Sequence, residues 1–258
     1  MKLTTIAASL LVTMTAASRP CRNIRFDDSK LAYYPAPEPN GLGVGVLVVP
    51  GGGYSHVSLE REGSNSTLYL NTRGYDAWVL NYSVAETAPT PLYPVPLEEA
   101  LCAAQHIRRT QPKSKLTKLG IWGYSAGGHL AAVTVTNPEA NLDFGILAYP
   151  VISMDEAITH EGSRTNLLGE NPSPELVEKM SAENRVTADT PPIFLYHSAN
   201  DATVPVENTL RFIGAMTKKS RPYQALILPD GAHGIALALN DPVRNWEGEL
   251  DRFLTYSI

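Results

Sequence analysis

Apolar residues fall in short dense runs, separated by longer stretches in which they recur every three or four positions. Leu42-Gly43-Val44-Gly45-Val46-Leu47-Val48-Val49 is almost unbroken apolar sequence, as expected of a parallel strand buried on both faces. Asp76 to Tyr82, Leu119 to Trp122, Phe144 to Val151, Ile193 to Tyr196 and Gln224 to Leu228 read as further strands. Between them, Leu59 to Thr72 is helix-compatible and closed by Gly74. Leu97, Ala100, Leu101, Ala104 and Ile107 recur at helical spacing, with Glu98 and Glu99 in the first turn and Arg108 and Arg109 in the last, matching the helix dipole. His129 to Val133 and Val206 to Lys218 predict helices, and Val243, Trp246, Leu250, Phe253 and Leu254 line one face of a terminal one. Alternating strands and helices predict an α/β architecture, a doubly wound, mostly parallel sheet. Ligands of such sheets sit at the carboxyl ends of the strands. The longest irregular segment, Ser153 to Pro192, holds Leu167-Leu168-Gly169 and a short helix around Pro174 to Met180, and is placed to cover that edge. There is no internal repeat, low-complexity tract or linker.

The first residues break this pattern. Met1-Lys2, the apolar and Thr/Ala-rich Leu3 to Ala17, and the small residues Ala16-Ala17-Ser18 read as a secretory signal, 1–18, cleaved near Ser18. One catalytic domain, 19–258, would then act outside the cytoplasm, secreted or periplasmic. Arg19-Pro20 before Cys21 replaces the small residues a lipoprotein site needs. The net charge of −5 argues against nucleic acid and anionic membrane surfaces as partners, and no later run is long enough for membrane insertion. The two cysteines, Cys21 and Cys102, either pair in an oxidising compartment or stay as separate thiols with Cys102 half buried.

Candidate chemistry centres on Gly123-Tyr124-Ser125-Ala126-Gly127, a turn between a strand and a helix. Such a turn holds its serine in a strained conformation at the sheet edge, and the next residue, Ala126, can donate its N–H to an oxyanion from the helix N-terminus. A serine hydroxyl needs a base, and the base needs an acid to fix its tautomer. Asp201 follows the strand Ile193 to Tyr196, and His233 follows Gln224 to Leu228 in the turn Gly231-Ala232-His233-Gly234. Asp230, the rival acid, shares the turn with His233 and is poorly placed to orient it. After the first strand, Pro50-Gly51-Gly52-Gly53-Tyr54 lacks the Gly-Lys-Ser/Thr ending and G-x-G-x-x-G spacing of nucleotide loops, so an oxyanion loop is the better reading. His129 and His197 read as structural histidines, His106 and His160 as surface residues, and His56 as either a pocket or a surface residue. No spacing of His, Cys and carboxylate suggests a metal, and no cofactor is expected.

From about Gly43 to Leu254 the chain resembles the α/β-hydrolase superfamily, and within it the small secreted branch related to acetylxylan and feruloyl esterases. The resemblance rests on Pro50-Gly51-Gly52-Gly53-Tyr54, Leu80-Asn81-Tyr82, Tyr93 to Leu97, Gly123 to Leu130, Asp201 to Asn208 and Gly231 to Gly234. It implies Ser125 as nucleophile, His233 as base, Asp201 as orienting acid, and oxyanion donors from the Gly52-Gly53 loop and Ala126. Two positions depart from the pattern: Pro50 stands where lipase-like relatives often open the loop with histidine, and Ser83 where the branch usually has arginine. The expected activity is a serine carboxylesterase acting on short acyl, above all acetyl, esters of a small molecule or an acylated polysaccharide such as xylan. A pocket behind Tyr54 and Tyr124, flanked by His56, would admit the acyl group. Lipase-like or peptidase-like hydrolysis is the alternative, and a non-catalytic binding protein a more distant one. The polar Ser153 to Pro192 segment argues against an interfacial lid, and 258 residues against an added peptide-selecting domain.

Overall fold

The computed structural model describes Cys21, residues 26–37 and residues 41–258. The leader expected at 1–18 and its cleavage point lie outside the described residues. Seven strands form one sheet in the order β1-β3-β2-β4-β5-β6-β7. They are β1 Leu31–Tyr34, β2 Val44–Val49, β3 Asp76–Leu80, β4 Lys118–Tyr124, β5 Phe144–Ala148, β6 Ile193–Ser198 and β7 Tyr223–Leu228. All pairs are parallel except β1 with β3. The helices are α1 Asn65–Thr72, α2 Val95–Thr110, α3 Ser125–Val135, α4 Glu161–Leu168, α5 Pro174–Met180, α6 Glu207–Lys218 and α7 Glu247–Tyr256. The doubly wound α/β sheet expected from the sequence is the one observed.

Strand alternation divides the core in two. Leu47, Val49, Ile121, Leu147 and Leu195 point to one face, where α2, α3 and α6 pack through Ala104, Leu130 and Phe212. Val46, Val48, Trp122, Ile146, Phe194 and Tyr196 point to the other, under Tyr69 and Leu70 of α1 and Leu250 and Phe253 of α7. On this side Trp246 stacks on both Phe194 and Tyr196, at ring-centre distances of 5.7 and 4.8 Å. The chain leaves β2 toward one face and β4 toward the other although the two strands are neighbours, so their carboxyl ends open a crevice between diverging connections.

Three sequence readings change. β1 lies before Leu42, where no strand is expected from the sequence, because an edge strand with mostly exposed side chains carries no apolar run. Val243, expected on the buried face of the last helix, is 74% exposed. Asp241 accepts the N–H groups of Val243 and Arg244 and makes a turn there, so α7 starts only at Glu247. Helix α4 occupies part of the expected irregular segment, with the His160 ring capping its first turn.

Cys21 and Cys102 form a disulfide, with Cα atoms 5.4 Å apart, that ties the start of the chain to α2. At Ser83, where the related branch usually has arginine, the backbone N–H and hydroxyl both donate to Glu99, 2.7 Å away, and Lys30 supplies the cation, 2.5 Å from the same carboxylate.

Candidate active site

Ser125 ends β4 and begins α3 with φ +52°, a left-handed conformation that costs a non-glycine residue energy. The turn is held by steric fit. A Cβ on Gly127 would lie 2.2 Å from the Val49 carbonyl oxygen and 2.3 Å from that of Pro50, and one on Gly123 would lie 2.2 Å from the Gly127 carbonyl oxygen. Only glycine at these positions lets α3 sit this close to the end of β2. The Ser125 side chain emerges into the crevice, and the residue is 9% exposed.

The parallel pair β6 and β7 delivers its two following loops to the same place. His233 Nε2 lies 2.8 Å from Ser125 Oγ, and its Nδ1 lies 2.7 Å from Asp201 Oδ2. Because a carboxylate only accepts, Nδ1 carries the proton and donates to Asp201, leaving Nε2 bare to accept from the serine hydroxyl. Asp201 Oδ1 accepts the N–H groups of Thr203 and Val204, at 2.9 and 3.0 Å. Burial opposes its charge, but the donors, His197 and His233 foremost and then the Val204 N–H, hold its carboxyl well below the usual carboxylate range. Asp230 instead faces solvent, paired with Arg244 at 2.9 Å.

The glycine loop closes the other side. The Gly51 N–H donates to the buried Glu62 at 2.6 Å, and the Gly52 carbonyl accepts from Ser55 and His56. Gly52 and Gly53 both take positive φ, and among the described residues their N–H groups have no hydrogen-bond acceptor. The Ala126 N–H lies in the first turn of α3, where no intrahelical acceptor exists. Asn166 of α4 donates to the Gly53 carbonyl at 3.0 Å, so the Ser153 to Pro192 segment does reach the site and walls it.

Several side chains lie elsewhere than expected. Tyr54 and Tyr124 do not line a pocket: both side chains are fully buried. The Tyr54 hydroxyl donates to His129 Nδ1 at 2.8 Å, and the Tyr124 hydroxyl pairs with Ser66 at 2.6 Å. A strand-end tyrosine next to the serine points to the opposite face of the sheet, because side chains alternate. His56 is exposed, beside Gly52. His160, read as a surface residue, is half buried at the crevice, its Cε1 3.6 Å from where a Gly53 Cβ would be. Burial, followed by the nearby His233, lowers its pKa. His197 and His129 are internal, as expected. His129 Nε2–H donates to the Met180 carbonyl at 2.7 Å, and burial pushes the His129 pKa down to about 4. Tyr149 belongs to no motif, although its place just beyond β5 puts it at the carboxyl edge of the sheet, where site residues of such folds gather. Its ring packs edge-on against His233, 5.0 Å between centres. Among the described residues no three His, Cys, Asp or Glu side chains are grouped as metal ligands, and no helix is long and apolar enough to cross a membrane.

The model of the prolyl oligopeptidase family matches residues 94–256, from the start of α2 through the serine, aspartate and histidine turns to α7. The chain belongs to this family of α/β hydrolases. A second family model, BD-FAE, matches residues 32–150. An endo-1,4-beta-xylanase B of Butyrivibrio fibrisolvens is 35% identical over 79% of this chain and 34% of its own length. An acetylxylan esterase of Xylanibacter ruminicola is 32% identical over 87% of this chain and 48% of its own. The chain thus spans between a third and a half of these curated relatives. The crystal structure of an acetyl ester-xyloside bifunctional hydrolase from Caldicellulosiruptor lactoaceticus is 36% identical, with a TM-score of 0.79 over 87% of this chain and 86% of that one.

Two tests follow from this geometry. Asp201→Asn should reduce kcat by about 10⁴-fold, because it favours the wrong imidazole tautomer, while Asp230→Asn should stay within about 3-fold of the parent; steady-state kinetics on one ester compares them. Below an unfolded-state pKa near 6.5, the unfolded chain binds a proton at His129 that the folded chain refuses until about pH 4. Stability should therefore fall as pH drops through that window, by about 3 kcal/mol from this group. Denaturant unfolding from pH 7 to 4 should show a shallower loss in His129→Gln than in the parent.

Proposed function

We propose that the chain is a secreted serine carboxylesterase that removes short acyl groups, acetyl above all, from carbohydrate such as xylan. The observation that carries this reading is the continuous hydrogen-bonded line from Ser125 Oγ through His233 to Asp201, next to N–H groups at Gly52, Gly53 and Ala126 that have no acceptor among the described residues. In this reading Ser125 attacks the ester carbonyl as His233 Nε2 takes its proton. The carbonyl oxygen becomes an oxyanion, stabilised by the backbone N–H groups. Collapse breaks the bond to the alcohol, which leaves with the proton from Nε2. Water, deprotonated by the same nitrogen, then attacks the acyl-enzyme, releases the acid and restores Ser125. Asp201 stays ionised throughout and steadies the imidazolium.

The names of the relatives, an acetylxylan esterase and an acetyl ester-xyloside hydrolase, support a carbohydrate ester as substrate. Two polar side chains beside the glycine loop support it too: Asn166 donates to the Gly53 carbonyl, and His160 lies against Gly53. The Cys21–Cys102 bond supports an oxidising compartment, in keeping with a cleaved leader at 1–18. A second reading, hydrolysis of peptide bonds or acyl-peptides by the same residues, is favoured by the prolyl oligopeptidase family match.

Release of acid from acetylated and feruloylated xylans, triglycerides and acyl-peptides separates the readings. Acetate release from acetylated xylan should be detected, with kcat/KM for acetyl esters at least about 10-fold above that for octanoyl esters, roughly 1.4 kcal/mol of discrimination. Faster turnover of long-chain esters at an emulsion surface, or of acyl-peptides, would contradict the proposal.

A further inference from the structure

One buried acid has no part in the chemistry described above. Glu62 is 4% exposed, on the helical turn Leu59–Ser64 between the glycine loop and α1, and among the described residues no ion pair reaches it. A buried carboxylate without a counter-ion survives only if its oxygens are well hydrogen-bonded.

Its two oxygens serve two different loops. Oε2 accepts the Gly51 N–H at 2.6 Å, at the root of the glycine loop. Oε1 accepts the Tyr149 hydroxyl at 2.9 Å, and that hydroxyl accepts the Ala236 N–H, also at 2.9 Å. The direction of this chain is fixed. Ala236 can only donate, so the Tyr149 proton has Glu62 as its acceptor, and the line Ala236 N–H to Tyr149 O–H to Glu62 leaves no donor idle when the acid is ionised. Burial pushes the Glu62 pKa up, while the Gly51 and Tyr149 donors and the nearby His233 pull it back.

Each contact bears on a catalytic group without being one. Fixing the Gly51 N–H on Glu62 orients the next two peptide units, those of Gly52 and Gly53. A Cβ on Gly51 would lie 3.0 Å from both Glu62 Oε2 and Ser125 Cβ, so the carboxylate and the serine both crowd the Gly51 position. The Tyr149 ring, held by its hydroxyl, is the surface against which His233 packs at 5.0 Å, and Ala236 belongs to the same loop as His233. The Glu62 carbonyl is held in turn by Ser66, which also bonds the Tyr124 hydroxyl in the residue before Ser125.

We propose that Glu62 is a positioning residue: with Tyr149 it locks the oxyanion-donor loop and the histidine loop into one register around Ser125. This rests on the serine-hydrolase reading of Ser125 and His233. A glutamine at 62 has one acceptor and one donor end, so one of the two donors, Gly51 N–H or Tyr149 O–H, loses its partner.

The test compares Glu62→Gln, Tyr149→Phe and the double variant with the parent, using 4-nitrophenyl acetate turnover and the rate at which a serine-directed phosphonate modifies Ser125. Arg73→Ala, which breaks the Arg73–Asp251 ion pair between α1 and α7 at the far edge of the sheet, is the stability control. Glu62→Gln should lower kcat by about 10- to 100-fold, less than the loss of an oxyanion donor outright, with KM within about 3-fold. Tyr149→Phe should lose kcat in the same way, and the double variant should lose little more than the worse single, because both act through one chain. Phosphonate modification should slow in parallel, whereas Arg73→Ala should lower Tm without slowing it. If Glu62→Gln fails to fold, Tyr149→Phe and its labelling rate decide. Folded variants with parent kcat and labelling rates, or losses that follow Tm as in the control, would overturn the proposal. A parent that reacts with the phosphonate but hydrolyses no ester would refute the esterase function alone, and the labelling rates would still decide the role of Glu62.

Discussion

The constraint on which the site depends is the contact between α3 and the end of β2, where Gly127 lies against the Val49 and Pro50 carbonyl oxygens. β2 and β4 are hydrogen-bonded neighbours whose following connections diverge to opposite faces of the sheet. A crevice at that place is a property of the topology, but its width is a property of the glycines. Because α3 can sit against β2, Ser125 is driven into a left-handed conformation directly beside the glycine loop. The strain at Ser125 is offset by two well-packed cores, one on each face of the sheet.

Around that contact, polar groups are arranged by the direction in which each can donate. Asp201 can only accept, which fixes the His233 tautomer and leaves the nitrogen facing Ser125 unprotonated. Glu62 can only accept, which draws the Gly51 N–H inward, while those of Gly52 and Gly53 have no acceptor among the described residues. His129 joins the outer layer: it accepts from Tyr54 of the glycine loop and donates to Met180 at the end of α5. The loops therefore hang on buried hydrogen bonds to the scaffold rather than on contacts with one another alone, which is how irregular backbone is kept in one conformation at a reactive centre.

Much of this could be read from the sequence, for identifiable reasons. The buried parallel strands are nearly continuous apolar runs, so β2 through β6 stand out without a structure; the half-exposed β7 is marked by Ala225-Leu226-Ile227-Leu228, and with it the order of Ser125, Asp201 and His233 at strand ends is legible. β1 does not stand out, because an edge strand with exposed tyrosines has no such run. Val243 was expected on the buried face of α7 because its spacing fits the apolar series, yet the Asx turn at Asp241 takes it out of the helix. Tyr54 and Tyr124 were expected in the pocket because they adjoin the motif residues. Tyr124 ends β4, so its side chain falls on the face opposite Ser125, and Tyr54 turns inward from the glycine loop to His129; both are core residues. Glu62 and His160 carry no motif, and Tyr149 is marked only by its place just beyond β5. Glu62 and His160 reach the site only through tertiary packing, which no local pattern encodes.

The central claim is that Ser125, activated by His233, is the nucleophile. Intact-mass and peptide-mapping analysis after exposure to a serine-directed phosphonate tests it most directly. The account predicts one adduct per chain, on Ser125, with ester hydrolysis lost in proportion to its formation, and no adduct in His233→Ala on the same timescale. Modification at another residue, or hydrolysis that persists once Ser125 is fully modified, would contradict it.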